Sequence, residues 1–210
     1  NFRRQRQMCI RDSVYVVDDD EAILDSLGLL LKSAGLQHRA YTNATAFLED
    51  FDASQHGCLL ADIRMPGMSG LELQDELNRK GVKIPTVFIT GHGDVPMAVR
   101  AMKSGALDFI QKPFRDEDLL KRINDALNMD LERLNQRRST VEVMQRFETL
   151  TPRETEVMRK VVEGCANKVI AFDLGVSQRT VELHRARVMH KMGVRSLAEL
   201  VRMSGQISEF

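Results

Sequence analysis

Five polar residues fall just beyond short apolar runs, and together they could handle a phosphoryl group. Asp18 and Asp19 follow Val14–Val17, and Asp62 follows Cys58–Ala61. Thr90 follows Ile84–Ile89, and Lys112 comes just after Leu107–Ile110. Three carboxylates gathered in one place repel one another unless a cation joins them. With few carboxylates and oxygen donors, Mg²⁺ completed by water is the natural choice. Lys112 adds a fixed positive charge and Thr90 a hydroxyl donor. A carboxylate beside a metal, an ammonium and a hydroxyl is equipped to accept a phosphoryl group, because the cations neutralise charge on its oxygens. Singly, each residue is ordinary: an Asp at a strand end caps, a Lys-Pro turns, and Phe109 fills a core. Their joint placement is what points to chemistry. Asp20 reads equally as a helix N-cap or a functional acid. His92 lies nearby but is disfavoured as a catalyst.

Such a site needs several strand ends at one edge of a sheet. The runs at 14–17, 58–61, 84–89 and 107–110, with another strand near Gln37–Tyr41, alternate with helical stretches near 22–31, 43–51, 69–79, 94–104 and from 116. Continuous apolar strands with helices between them predict a parallel sheet covered on both faces, an α/β doubly wound, flavodoxin-like (βα)5 domain. In that fold ligands collect at the carboxyl ends of the strands. Residues 116–148 read as helix throughout, with Leu119, Leu120, Ile123, Leu127, Leu131 and Leu134 as an apolar stripe. This predicts a last domain helix running into a helical linker, either a spacer or a short coiled-coil seam.

The rest is all-α. Thr151-Pro152-Arg153-Glu154 and Ser196-Leu197-Ala198-Glu199 read as capping boxes, and Asn167 and Ser177 as N-caps. Gly164 and Gly193 stand where helices end. Four helices follow, near 152–163, 167–174, 178–191 and 196–203, and the middle two join through Gly175 as a helix-turn-helix.

The net charge of zero hides an asymmetry: residues 13–124 carry a net −5 and residues 151–210 a net +3. An acidic front and a basic back suggest different partners. Cys9, Cys58 and Cys165 form neither a CxxC pair nor a zinc quartet, which disfavours a disulfide scaffold or zinc finger. No apolar run is long enough for a membrane span and no secretory signal is evident, so a cytoplasmic location is expected. No GxxxxGK[ST] or GxGxxG occurs, which disfavours an NTPase or dehydrogenase.

The motifs Val16-Val17-Asp18-Asp19-Asp20, Asp62-Ile63-Arg64-Met65-Pro66-Gly67-Met68-Ser69-Gly70, Phe88-Ile89-Thr90-Gly91-His92-Gly93 and Phe109-Ile110-Gln111-Lys112-Pro113-Phe114 resemble the receiver domain of two-component response regulators. The resemblance implies phosphorylation of Asp62 by a sensor histidine kinase. It implies Mg²⁺ held by Asp19, Asp62 and the backbone carbonyl of Arg64, with Asp18 bound directly or through water. Lys112 would pair with the acyl phosphate, its bond to Pro113 would be cis, and Thr90 and Phe109 would form the switch.

Residues 150–203 resemble the LuxR-type helix-turn-helix through Leu150–Glu154, Asn167–Ala171 and Val176–Arg187, and the whole is most similar to the FixJ branch of the FixJ/NarL family. The resemblance implies that Glu182, Leu183 and Ala186 face bases in the major groove, with Thr180 and His184 among the contacts. Some relatives carry Lys at the places of Glu182 and Ala186, so operator preference does not transfer from them. Lys168, Arg179, Arg185, Arg187 and Lys191 suit phosphates, whereas Val181, Val188 and Met192 suit a core.

The expected organisation is a basic extension at 1–12 foreign to the family, a receiver at 13–128, a linker at 129–148 and a DNA-binding domain at 149–210. The expected function is a phosphorylation-switched transcriptional activator, not an enzyme. Its partners would be a kinase, promoter DNA, RNA polymerase and a second copy meeting it through the face around 94–110. An alternative is a regulator whose helical tail binds protein or RNA. A small-molecule aspartyl-phosphate hydrolase would need a substrate lid, for which no sequence is spare.

Overall fold

The computed structural model describes residues 13–53, 55–91 and 95–207. The arginine-rich extension at 1–12 and His92 lie outside the described residues. Five parallel strands, β1 (Ser13–Val17), β2 (Gln37–Tyr41), β3 (Gly57–Asp62), β4 (Thr86–Thr90) and β5 (Asp108–Gln111), form one sheet in the order β2-β1-β3-β4-β5. All six residues of β3 are buried, as a central strand covered on both faces requires. The fourth strand begins later than the apolar run because Pro85 has no N–H for the ladder; its carbonyl still accepts from the Leu59 N–H at 2.9 Å.

The period of two along each strand feeds two cores. Tyr15, Val17, Leu59, Ala61 and Phe88 face α2 (Ala44–Asp50), α3 (Gly70–Arg79) and α4 (Val95–Lys103). Val14, Val16, Cys58, Leu60, Val87 and Ile89 face α1 (Glu21–Ser33) and the start of α5 (Asp116–Glu148). Asp20 is the N-cap of α1, accepting from the Ala22 N–H. On α5 the buried face runs through Leu119, Ile123, Ala126 and Leu127 and then takes Asp130; Leu131 and Leu134, expected in the stripe, are only half-buried.

The chain divides into two compact units, one ending at Leu134 and one starting at Asn135, so α5 contributes to both. The second unit adds α6 (Pro152–Val162), α7 (Asn167–Leu174), α8 (Gln178–Met192) and α9 (Leu197–Ser204). Val157, Met158, Val161, Ile170, Val181, Val188, Met192 and Leu200 form its core, joined by Val143 and Phe147 from α5. The Thr151–Glu154 capping box is complete. Two expected caps differ. Ala166, not Asn167, is the N-cap of α7, with no side-chain bond, because the Asn167 carbonyl is used elsewhere. Ser196 caps α9 but Glu199 does not reciprocate; its carboxylate accepts from the Arg195 N–H at 2.7 Å instead. Among the described residues no helix is long and apolar enough to cross a membrane.

Candidate functional site

The order of the strands reverses between β1 and β3, and the polar residues gather at the carboxyl edge beside that switch. Asp18 and Asp62 are both buried. Lys112 joins them, its Nζ 2.8 Å from Asp18 Oδ2 and 3.6 Å from Asp62 Oδ1. The Asp20 N–H donates to Asp18 Oδ1 at 3.0 Å, and the Arg64 N–H to Asp62 Oδ2 at 2.7 Å. Burial pushes the Asp62 carboxyl above its ordinary value, opposed by the Arg64 amide and the Lys112 charge. Asp62 is thus a carboxylate short of compensating charge, with Oδ1 toward an ammonium and Oδ2 held by backbone. Gly70 starts α3 close against it: a Cβ there would lie 2.3 Å from the Asp62 carbonyl oxygen, so only glycine fits.

The structure brings Asp18, Asp62 and Lys112 together and puts Thr90, 1% exposed, at the end of β4, where its carbonyl accepts the Lys112 N–H at 2.8 Å. Phe109 is half-buried on β5 against the α2–α4 core. The Lys112-Pro113 bond is cis. Asp19 is exposed, and among the described residues no three His, Cys, Asp or Glu form a metal cage. An all-protein cage is not what Mg²⁺ requires, since it binds through one or two carboxylates and keeps its waters. The donors here are all oxygen, and burial still raises the Asp62 carboxyl against the Lys112 charge, so the residues fit that ion.

In the second unit α8 presents Arg179, Glu182, Leu183, Ala186 and Arg187 to solvent, and Lys168 is exposed on α7. The Ser177 hydroxyl caps α8 on the Thr180 N–H at 3.1 Å, and the two hydroxyls lie 2.8 Å apart. Arg185, Lys191 and His184 are half-buried. Arg185 Nη1 donates to Asn167 Oδ1 at 2.8 Å, tying α8 to the start of α7. Lys191 Nζ donates to Glu154 Oε2 at 2.6 Å and to the Thr149 carbonyl at 2.9 Å. His184 Nδ1 is buried with no hydrogen-bond partner among the described residues.

Two family patterns match: the response regulator receiver domain over residues 14–124, and the bacterial regulatory proteins of the luxR family over residues 148–204. The chain is a response regulator. It is 48% identical over 191 residues to the transcriptional regulatory protein FixJ of Azorhizobium caulinodans, covering 91% of this chain and 90% of that protein. Against the response regulator protein TodT of Pseudomonas putida (strain F1) it is 43% identical over 205 residues, covering 97% and 90%. The solved structure of the response regulator StyR matches with a TM-score of 0.85 at 45% identity, covering 93% of this chain and 99% of that one. A response regulator with these two domains has a sensor kinase and DNA as partners.

Both family patterns stop short of residues that this response regulator buries. Asp130 lies beyond the first match and is 1% exposed; its carboxylate accepts from the Gly57 N–H at 3.1 Å, lies 2.8 Å from His56 Nδ1 and pairs with Arg133. Val143, Arg146 and Phe147 precede the second match and still pack in or bond to its unit. One signal in the sequence marks Asp130: it occupies the position after Leu127 on the buried stripe, where a carboxylate survives only with partners.

Proposed function

We propose that this response regulator accepts a phosphoryl group on Asp62 from the phosphohistidine of a sensor kinase. In the transfer the P–N bond to the kinase breaks and a P–O bond to an Asp62 oxygen forms. Lys112 stands ready to hold the negative charge brought in, and the Arg64 N–H fixes the other carboxylate oxygen. The Thr90 hydroxyl would bind the phosphoryl group and draw Phe109 inward behind it. Asp19, Asp62, the Arg64 carbonyl and Asp18 would hold Mg²⁺, which when bound supplies charge neutralisation at the phosphoryl oxygens. Beyond its own phosphorylation and dephosphorylation the chain would catalyse no reaction.

The observation that carries this reading is the buried Asp62 with a lysine ammonium 3.6 Å from one oxygen and a backbone N–H 2.7 Å from the other. Phosphorylation would alter the face formed by α4 and β5, where Val99 and Met102 are exposed, so that two copies pair there and place two α8 helices on adjacent half-sites. The dimer would act on promoter DNA in the cytoplasm and engage RNA polymerase as an activator. Arg179, Thr180, Glu182, Leu183, His184, Ala186 and Arg187 of α8, with Lys168, would meet the duplex.

Incubation with Mg²⁺ and acetyl phosphate, followed by intact-mass measurement, tests the acceptor. The expected result is a labile gain of one phosphoryl group in the wild type and none in Asp62→Asn. A gain of equal size in the variant would move the acceptor elsewhere. Salt titration of DNA binding separates this function from a tail that binds protein: a DNA complex weakens with a log–log slope of about −0.9 per phosphate neutralised.

A further inference from the structure

Arg146 belongs to the last turn of α5 and lies outside both family matches. Its Nη1 donates to the Met192 carbonyl at 3.1 Å, the last residue of α8. The end of a helix leaves carbonyls without intrahelical partners and carries partial negative charge. Here the glycine turn supplies two donors, the Gly193 N–H to the His190 carbonyl at 3.1 Å and the Val194 N–H to the Met189 carbonyl at 3.0 Å. Arg146 covers Met192, with a full positive charge where the helix end is negative.

Gly193 makes room for it. A Cβ at this residue would lie 2.9 Å from Arg146 Nη1 and 3.4 Å from Cζ, so the guanidinium lies against the bare Cα. The glycine also holds φ at 68°, which a side chain disfavours. A second cation runs the other way. Lys191, one residue before Met192, donates to the Thr149 carbonyl just past α5 and to the buried Glu154 at the start of α6. Two cations cross in opposite directions within two residues of α8, and they fix its end to residues 146–154.

We infer that Arg146 is a positioning residue for DNA recognition: with Lys191 it clasps the end of α8 to the α5–α6 junction and so sets where the exposed residues of α8 stand. This rests on the reading of α8 as the helix that meets DNA. Arg146 itself touches no base in this account, and its charge is used inside the unit.

The experiment uses the full chain, phosphorylated with acetyl phosphate, and two probes: a duplex enriched by the wild type from a random-sequence pool, and an unselected duplex. Arg146→Ala is expected to lower the ratio of selected to unselected affinity about tenfold, the loss of one charged hydrogen bond. Its salt slope should equal that of the wild type. Gly193→Ala keeps every charge and crowds the guanidinium, so it should lower the same ratio, and the double variant should lose less than the sum of the two. Arg146→Lys should restore part of the ratio. Independently of DNA, amide exchange at 193–194 should quicken in Arg146→Ala while circular dichroism stays unchanged.

Unchanged discrimination in a folded Arg146→Ala overturns the inference. So does a salt slope smaller by about 0.9 with discrimination intact, which would make Arg146 a phosphate contact. A wild type that enriches no duplex overturns the DNA reading itself, and unchanged exchange at 193–194 in Arg146→Ala would then remove the clasp as well.

Discussion

At Asp62 function and stability pull apart. A carboxyl whose folded value is raised binds its proton more tightly in the folded chain, so its contribution to stability is best at low pH. That contribution declines as pH rises from the unfolded carboxyl value through the folded one, and at neutral pH the buried charge is a burden. Asp62→Asn should therefore raise the melting temperature of the first unit by a few degrees at pH 7, with the gain shrinking toward pH 4, as calorimetry over that range would show. Glu154 has the opposite sign. Lys191 and the Thr151 amide hold its carboxyl below the ordinary value, so its contribution is complete above that value and is lost as pH falls through the lowered one. Glu154→Gln should flatten the acid limb of unfolding of the second unit. Asp18, Asp62, Thr90 and Lys112 were legible because each stands at the end of an apolar run. Arg146 was not, because its partner is 46 residues away and an arginine near a helix end looks like a solvated one.

Among the elements, α5 departs most from its sequence reading. Its helicity over 116–148 was legible, since neither proline nor glycine interrupts it. Its role was not, because a polar stretch between two cores looks like a spacer until its buried residues are known. Asp130 ties it to His56 and to the Gly57 N–H at the start of β3, the strand whose far end carries Asp62. A single buried carboxylate serves three donors or cations, so its removal takes one contact from each of them. Asp130→Ala should cost about 3–5 kcal/mol, measured as a lower denaturant midpoint, with faster amide exchange at Gly57. The caps on α6 and α8 were legible from local spacing, and the one on α7 was misplaced because the long-range bond from Arg185 claims Asn167.

Across the whole molecule the acidic front and basic back correspond to two units with separate cores. The units do not end where the family patterns do, because each draws helical turns from α5. A fragment of residues 13–134 should melt at a higher temperature than one of residues 13–124, which loses Ala126, Leu127 and Asp130. Thermal scans of the two fragments would show it, and equal melting points would mean that α5 contributes nothing past Asn124. Regulators of this kind could diversify by exchanging output heads through recombination. A crossover near residue 148 would hand the new head an alien Val143, Arg146 and Phe147, and leave its reading helix gripped by a stranger. A crossover between Leu134 and Glu142 would deliver the head with its own grip, so viable hybrids should carry their seams there.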